Sequence, residues 1–86
     1  MIEIKFEKEK TRAVALDLEK EVGVCEYIEK ENTWDIIHTI VNPKYRGQNI
    51  AKKLVECVLE EAKKNNKKIF ATCSYANKLI EIKKNY

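Results

Sequence analysis

The stretch His38-Thr39-Ile40-Val41-Asn42-Pro43-Lys44-Tyr45-Arg46-Gly47-Gln48-Asn49-Ile50-Ala51 decides how this chain folds. It closes a nearly continuous β-branched and aromatic run, Trp34 to Val41, which reads as a central strand covered on both faces. Asn42-Pro43 stops that strand, because Pro43 cannot donate to a ladder and restricts the backbone of Asn42. From about Gln48 to Asn65 the apolar period becomes 3.6, with Ile50, Leu54, Cys57 or Val58, and Ala62 on one stripe and Ala51, Val55 and Leu59 widening it. Asn65-Asn66 ends the helix, since Asn tolerates the left-handed turn found there. Lys68 to Cys73 is then a fifth strand. Strand, helix and strand with a crossover of this length imply a parallel pair joined right-handedly.

Working outward, the first forty residues alternate with period two. Ile2, Ile4 and Phe6 lie on one face, and Glu7 to Lys10 is a charged turn. Val14, Leu16 and Leu18 repeat the pattern with Ala13 and Ala15 between them. Val22, Val24, Glu26 and Ile28 continue it, with Gly23, Cys25 and Tyr27 opposite. Glu29 to Asn32 is a polar turn, so these segments form an antiparallel meander. A short helix from about Tyr75 to Lys83 closes the chain, with Leu79, Ile80 and Ile82 inward. The order β-β-β-β-α-β-α defines an α+β fold: a mostly antiparallel sheet with a parallel pair at its end and a short C-terminal helix. At 86 residues, positions 1–86 form a single domain.

Bulk properties narrow the function. The net charge is +3, and lysines and glutamates are interleaved, which describes a solvated surface and not a nucleic-acid footprint. No apolar run reaches the length of a membrane span, and the N-terminus carries no signal-type apolar segment, so a cytoplasmic protein, monomeric or weakly dimeric, is expected. Cys25, Cys57 and Cys73 are odd in number with no CxxC spacing, which argues against a disulfide framework or a metal site.

The turn after the central strand has the make-up of an anion site. A helix N-terminus offers free N–H groups and the positive end of its dipole. Gly47 has no side chain to block a ligand, Asn49 tolerates positive φ, and Ala51 is small. Lys44 and Arg46 add charge at the same edge, and Lys52 and Lys53 occupy the first helical turn, where acidic residues are usual. By themselves these residues also fit a solvated surface loop.

Arg46-Gly47-Gln48-Asn49-Ile50-Ala51 resembles the Q/R-x-x-G-x-G/A motif of the GNAT-superfamily acetyltransferases, and Ile40-Val41-Asn42-Pro43-Lys44-Tyr45 resembles that family's strand and approach. Asn49 stands where the family usually has its central glycine. With His38-Thr39 and Cys73-Ser74-Tyr75, the chain is similar over residues 20–86 to a subgroup of minimal GNAT-like proteins. The resemblance implies a compact GNAT-like fold and acetyl-CoA as the bound cofactor. It implies that main-chain groups of Thr39, Ile40 and Val41 pair with pantetheine. It also implies that N–H groups of Arg46, Gly47, Gln48, Asn49, Ile50 and Ala51 hold the pyrophosphate. The activity implied is transfer of an acetyl group to an unknown amine; the alternative is a non-catalytic CoA or acyl-CoA binding module.

Two residues stand out for chemistry. Cys73 ends a strand parallel to the one feeding the turn, where strand ends of open sheets bind ligands, and a thiolate there could carry the acetyl group as a thioester. The other reading is a small buried hydrophobe. His38 is the only histidine, hence the only imidazole base; by plain alternation it shares a face with Trp34, Ile36 and Ile40, opposite Thr39 and Val41. It reads equally as a core histidine. Cys25 and Cys57 read as packing residues and Trp34 as core; Tyr75 and Tyr86 are candidate acids, and Glu26 and Glu29 could flank an amine. Full-length GNAT enzymes have a helix pair between their first two strands, for which Glu7 to Lys10 is too short. The acceptor pocket is therefore open, supplied by a partner, or absent.

Overall fold

In the computed structural model, which describes residues 1–84 and their side chains as far as Glu81, the alternating segments become four strands. These are β1 (Ile2–Glu7), β2 (Arg12–Asp17), β3 (Lys20–Lys30) and β4 (Thr33–Val41). A 3₁₀ turn over Pro43–Tyr45 leads to α1 (Ile50–Lys64), followed by β5 (Lys68–Ala71) and α2 (Ser74–Lys84). The strands lie in sequence order in one sheet, antiparallel up to β4 and parallel between β4 and β5. The expected α+β arrangement is the one found. The expected side chains of Ile82 and Tyr86 lie outside the described residues.

Helix α1 lays Ile50, Leu54, Val55, Val58 and Ala62 into a core shared with Ala13, Ala15, Cys25, Tyr27, Trp34 and Ile36. Full burial of a leucine such as Leu54 makes its truncation cost about 2–5 kcal/mol. Phe6, Tyr27 and Trp34 stack beside it, with the Tyr27 and Trp34 ring centroids 4.3 Å apart.

The alternation of β2, and of β3 beyond Val22 (itself in the core), has the sense opposite to the one its bulkier residues imply. The small residues Ala13 and Ala15, with Cys25, face the helix, whereas Val14 is buried elsewhere and Leu18 is exposed in the β2–β3 turn at φ +58°. The reason is proximity. A Cβ on Gly23 would stand 3.2 Å from both the Ile40 carbonyl oxygen and Leu54 Cδ1, so α1 approaches this part of the sheet closely and small side chains must lie under it.

β4 also departs from the strand expected to be covered on both faces. Trp34, Asp35 and Ile36 are buried, but Ile37, His38 and Ile40 are exposed. Two causes act together. β5 pairs with β4 only from Thr33 to Ile36, ending at Ala71 and not at Cys73. A β-bulge then interrupts β4: Tyr27 opposes Ile36 and Glu26 opposes His38, leaving Ile37 as the extra residue. The bulge reverses the parity of everything after it. Thr39, opposite core-facing Cys25, turns toward α1; His38, opposite Glu26, turns away. His38 therefore shares no face with Trp34 and Ile36, and it is an exposed residue, not a core histidine.

Candidate functional site

Past Ile36 and Ala71 the two parallel strands separate. The Cys73 N–H returns to the Ile36 carbonyl at 3.0 Å, and β4 runs on from Ile37 to Val41 with no β5 residue beside it. The result is a crevice at the carboxyl ends of two parallel strands, bounded by Cys73, Thr39 and the start of α2.

At its floor the Cys73 thiol donates to the Thr39 hydroxyl at 3.6 Å, and that hydroxyl donates to the Cys25 sulfur at 3.6 Å. Two sulfurs thus share one hydroxyl. Cys25 is fully buried, and desolvation pushes its thiol up to about 11, so it remains a thiol at neutral pH. Burial also raises Cys57, half-covered on α1. Cys73 is only partly buried and lies at the open end. Cys73 and His38, the two candidates for chemistry, are thus not brought together: register places the imidazole on the other face, beside Glu26. Glu29 lies further back, opposite Trp34 and 3.8 Å from the Lys67 ammonium.

The turn predicted to bind an anion sits at the far end of the crevice. Asn42 accepts from the Lys44 N–H at 2.9 Å, seeding the 3₁₀ turn. Arg46 is extended, Gly47 has φ +84°, and Asn49 is left-handed at φ 59°, ψ 25°. A left-handed Asn49 explains how this position does without glycine: Asn reaches that region at low cost. Its side chain makes no capping bond, no acidic residue occupies the first turn of α1, and the first N–H groups of the helix lack intrahelical partners. A recess of about 210 Å³ opens in front, lined among others by Arg46, Gly47, Asn49, Ala51, Lys52 and Tyr75. Nothing lies within 4 Å of a Cβ built on Gly47. Free N–H groups, a bare glycine and cationic side chains fit a phosphate group.

The turn is also tied to the sheet. The Tyr45 hydroxyl donates to Asp17 Oδ2 at 2.6 Å, which holds the Asp17 carboxyl below its ordinary value, helped by the N-terminal ammonium. Burial, then Glu56, raises the Tyr75 phenol, so it is a proton donor at neutral pH at the edge of the recess. Two residues of the site carried no signal in the linear pattern: Cys25, read as packing, and Asp17, which no motif singles out. Only pairing register brings them in.

A mixed sheet that opens between two parallel strands, with a phosphate-type turn at the mouth of the opening, is a compact GNAT-like arrangement. The profile of the GCN5-related N-acetyl-transferase family matches residues 11–86, and the chain belongs to that family. Among solved structures it is similar to a GCN5-like protein from Staphylococcus aureus, 32% identical, with 98% of this chain and 82% of that one covered at a TM-score of 0.74. Glucosamine-6-phosphate N-acetyltransferase from Arabidopsis thaliana is 21% identical (TM-score 0.65), covering 87% of this chain and 58% of that one. An aminoglycoside N-acetyltransferase in complex with CoA is 13% identical (TM-score 0.62), covering 86% and 55%. These last two share the fold, and the chain spans little more than half of their length. No curated protein matches the sequence. Among the described residues no helix is long and apolar enough to cross a membrane.

Proposed function

We propose that this protein binds acetyl-CoA in the crevice between β4 and β5 and transfers the acetyl group to an amine. The observation that carries the reading is the turn from Arg46 to Ala51, whose left-handed Asn49 and unblocked helix start face a recess edged by Arg46 and Lys52. In this reading the turn holds the pyrophosphate, and the main chain of Thr39, Ile40 and Val41, unpaired on the β5 side, takes the pantetheine arm. Cys73 then stands where the thioester would reach. Its thiolate attacks the acetyl carbonyl, a new C–S bond forms, the bond to CoA sulfur breaks, and CoA leaves as a thiolate that takes a proton from Tyr75. An amine then attacks the acetyl-Cys73 carbonyl; the C–S bond breaks, Cys73 leaves as its thiolate, and the Tyr75 phenolate takes the proton that the nitrogen loses as the amide forms. Direct transfer from acetyl-CoA to the amine is the shorter route through the same site.

One observation favours a second reading, a CoA-binding module without catalysis: the only imidazole lies across the sheet from Cys73, so no histidine base serves that thiol. Titration with acetyl-CoA while following the amide resonances of Gly47 to Ala51 tests both readings, and the absence of any shift would sink them. Intact mass after incubation with acetyl-CoA separates them. A +42 Da adduct at Cys73 that is lost in Cys73→Ser and discharged by an added amine supports transfer; binding without a discharged adduct or amide product supports the module.

A further inference from the structure

Asp35 is the buried charged side chain of the described residues, 5% exposed, and nothing in cofactor binding or acetyl transfer uses it. Its Oδ1 accepts from the Thr72 N–H at 2.9 Å, and its Oδ2 from the Thr72 hydroxyl at 2.9 Å; the hydroxyl also lies 3.1 Å from Oδ1. The Lys30 ammonium stands 3.8 Å from Oδ2. A carboxylate is an expensive residue to bury, and an apolar side chain would suit a half-covered strand better. The location gives it a purpose. The parallel ladder ends at the pair Ile36 and Ala71, and Thr72 is the first residue after β5. Its N–H, which a continuing ladder would have bound to main chain, is taken by a side chain instead, and one residue later the Cys73 N–H comes back to Ile36.

We propose that Asp35 is a positioning residue whose grip on Thr72 fixes the point where β5 leaves β4, and so seats Cys73 against Thr39 at the floor of the crevice. The significance of that seat rests on the acetyl-transfer reading, but the clasp itself is tested by thiol chemistry alone. Thr72 is exposed, so its variants disturb no core packing. In Thr72→Val the hydroxyl contacts are lost. The rate of Cys73 alkylation by iodoacetamide, followed by peptide mass spectrometry, should change about fivefold or more, with amide shifts concentrated at Cys73 and Ser74 and a lowered thermal midpoint as the Asp35 carboxylate loses a donor. Thr72→Ser restores the hydroxyl and should return the rate to that of the parent. Asp35→Asn, which keeps the shape but loses the charge, should behave as Thr72→Val does where it folds.

A folded Thr72→Val protein whose Cys73 reacts within about twofold of the parent, or a Thr72→Ser protein as altered as Thr72→Val, would overturn the proposal. Acetyl-CoA titration of the parent keeps the two readings apart. Absent cofactor binding with an altered Cys73 rate in Thr72→Val leaves the clasp standing and removes the transferase; retained binding with an unaltered rate does the reverse.

Discussion

The sulfur of Cys73 lies 3.6 Å from the hydroxyl of Thr39, a contact between β4 and the segment after β5, past the point where those strands stop pairing. The same hydroxyl donates to Cys25, whose thiol is buried and held near 11. When Cys73 ionises, the Thr39 proton has a better acceptor in that thiolate than in the neutral Cys25 sulfur.

That preference makes Thr39→Val informative. The substitution keeps volume and removes the donor, so the protein should fold with a loss on the order of 1 kcal/mol, and iodoacetamide labelling of Cys73 at pH 8 should slow several-fold. Thr39→Ser should label at the parent rate. Equal rates in the Val and parent proteins would show that the hydroxyl does not support the thiolate.

The turn makes a conformational prediction. Gly47→Ala meets no atom, so its cost is that of holding a side chain at φ +84°, about 1 kcal/mol. Asn49→Ala incurs a similar cost at φ 59°, whereas Asn49→Gly relieves it. Calorimetry should rank thermal midpoints with Asn49→Gly at or above the parent and both alanine variants below. Acetyl-CoA affinity should fall most in Gly47→Ala, whose new methyl group enters the open approach.

Tyr45→Phe removes the 2.6 Å bond that ties the turn to Asp17. Calorimetric titration should show acetyl-CoA affinity several-fold weaker with the helix signal in circular dichroism unchanged. The Asp17 carboxyl is held low in the folded chain, so this tie is present above the ordinary carboxylate value and is lost as pH falls through the lowered one. The Tyr45→Phe protein should therefore show a shallower acid-side loss of stability than the parent.

At alkaline pH the sign reverses. Burial holds Cys25 near 11 and Tyr27 near 12, against ordinary values of 9.0 and 10.0. Between roughly pH 9 and 12 the unfolded chain releases these protons first, so stability is complete below about 9 and declines as pH rises toward the folded values. The Tyr27 hydroxyl is also buried without a protein partner. Tyr27→Phe should thus raise the unfolding free energy from urea titration at pH 7 by about 0.5–1 kcal/mol, moving the midpoint up, and flatten the decline above pH 10. A lower midpoint at pH 7 would mean that the hydroxyl is satisfied in solution.

Much of this molecule was legible in its linear pattern. The apolar period of Ile50 to Ala62, the stop at Pro43 and the crossover length determined one α+β sheet with its parallel pair and placed a helix start behind Gly47. Those are local properties: periodicity, φ restriction and chain reach are written residue by residue. The direction each side chain takes beyond a bulge is not local. One unpaired residue, Ile37, turned His38 away from Cys73 and Thr39 toward it, and the close approach of Leu54 decided that Ala13 and Ala15, not Val14 and Leu16, line the core. Register and helix-to-sheet distance depend on partners far along the chain, so only the tertiary structure set the Thr39 hydroxyl between Cys73 and Cys25 and closed Asp35 on Thr72.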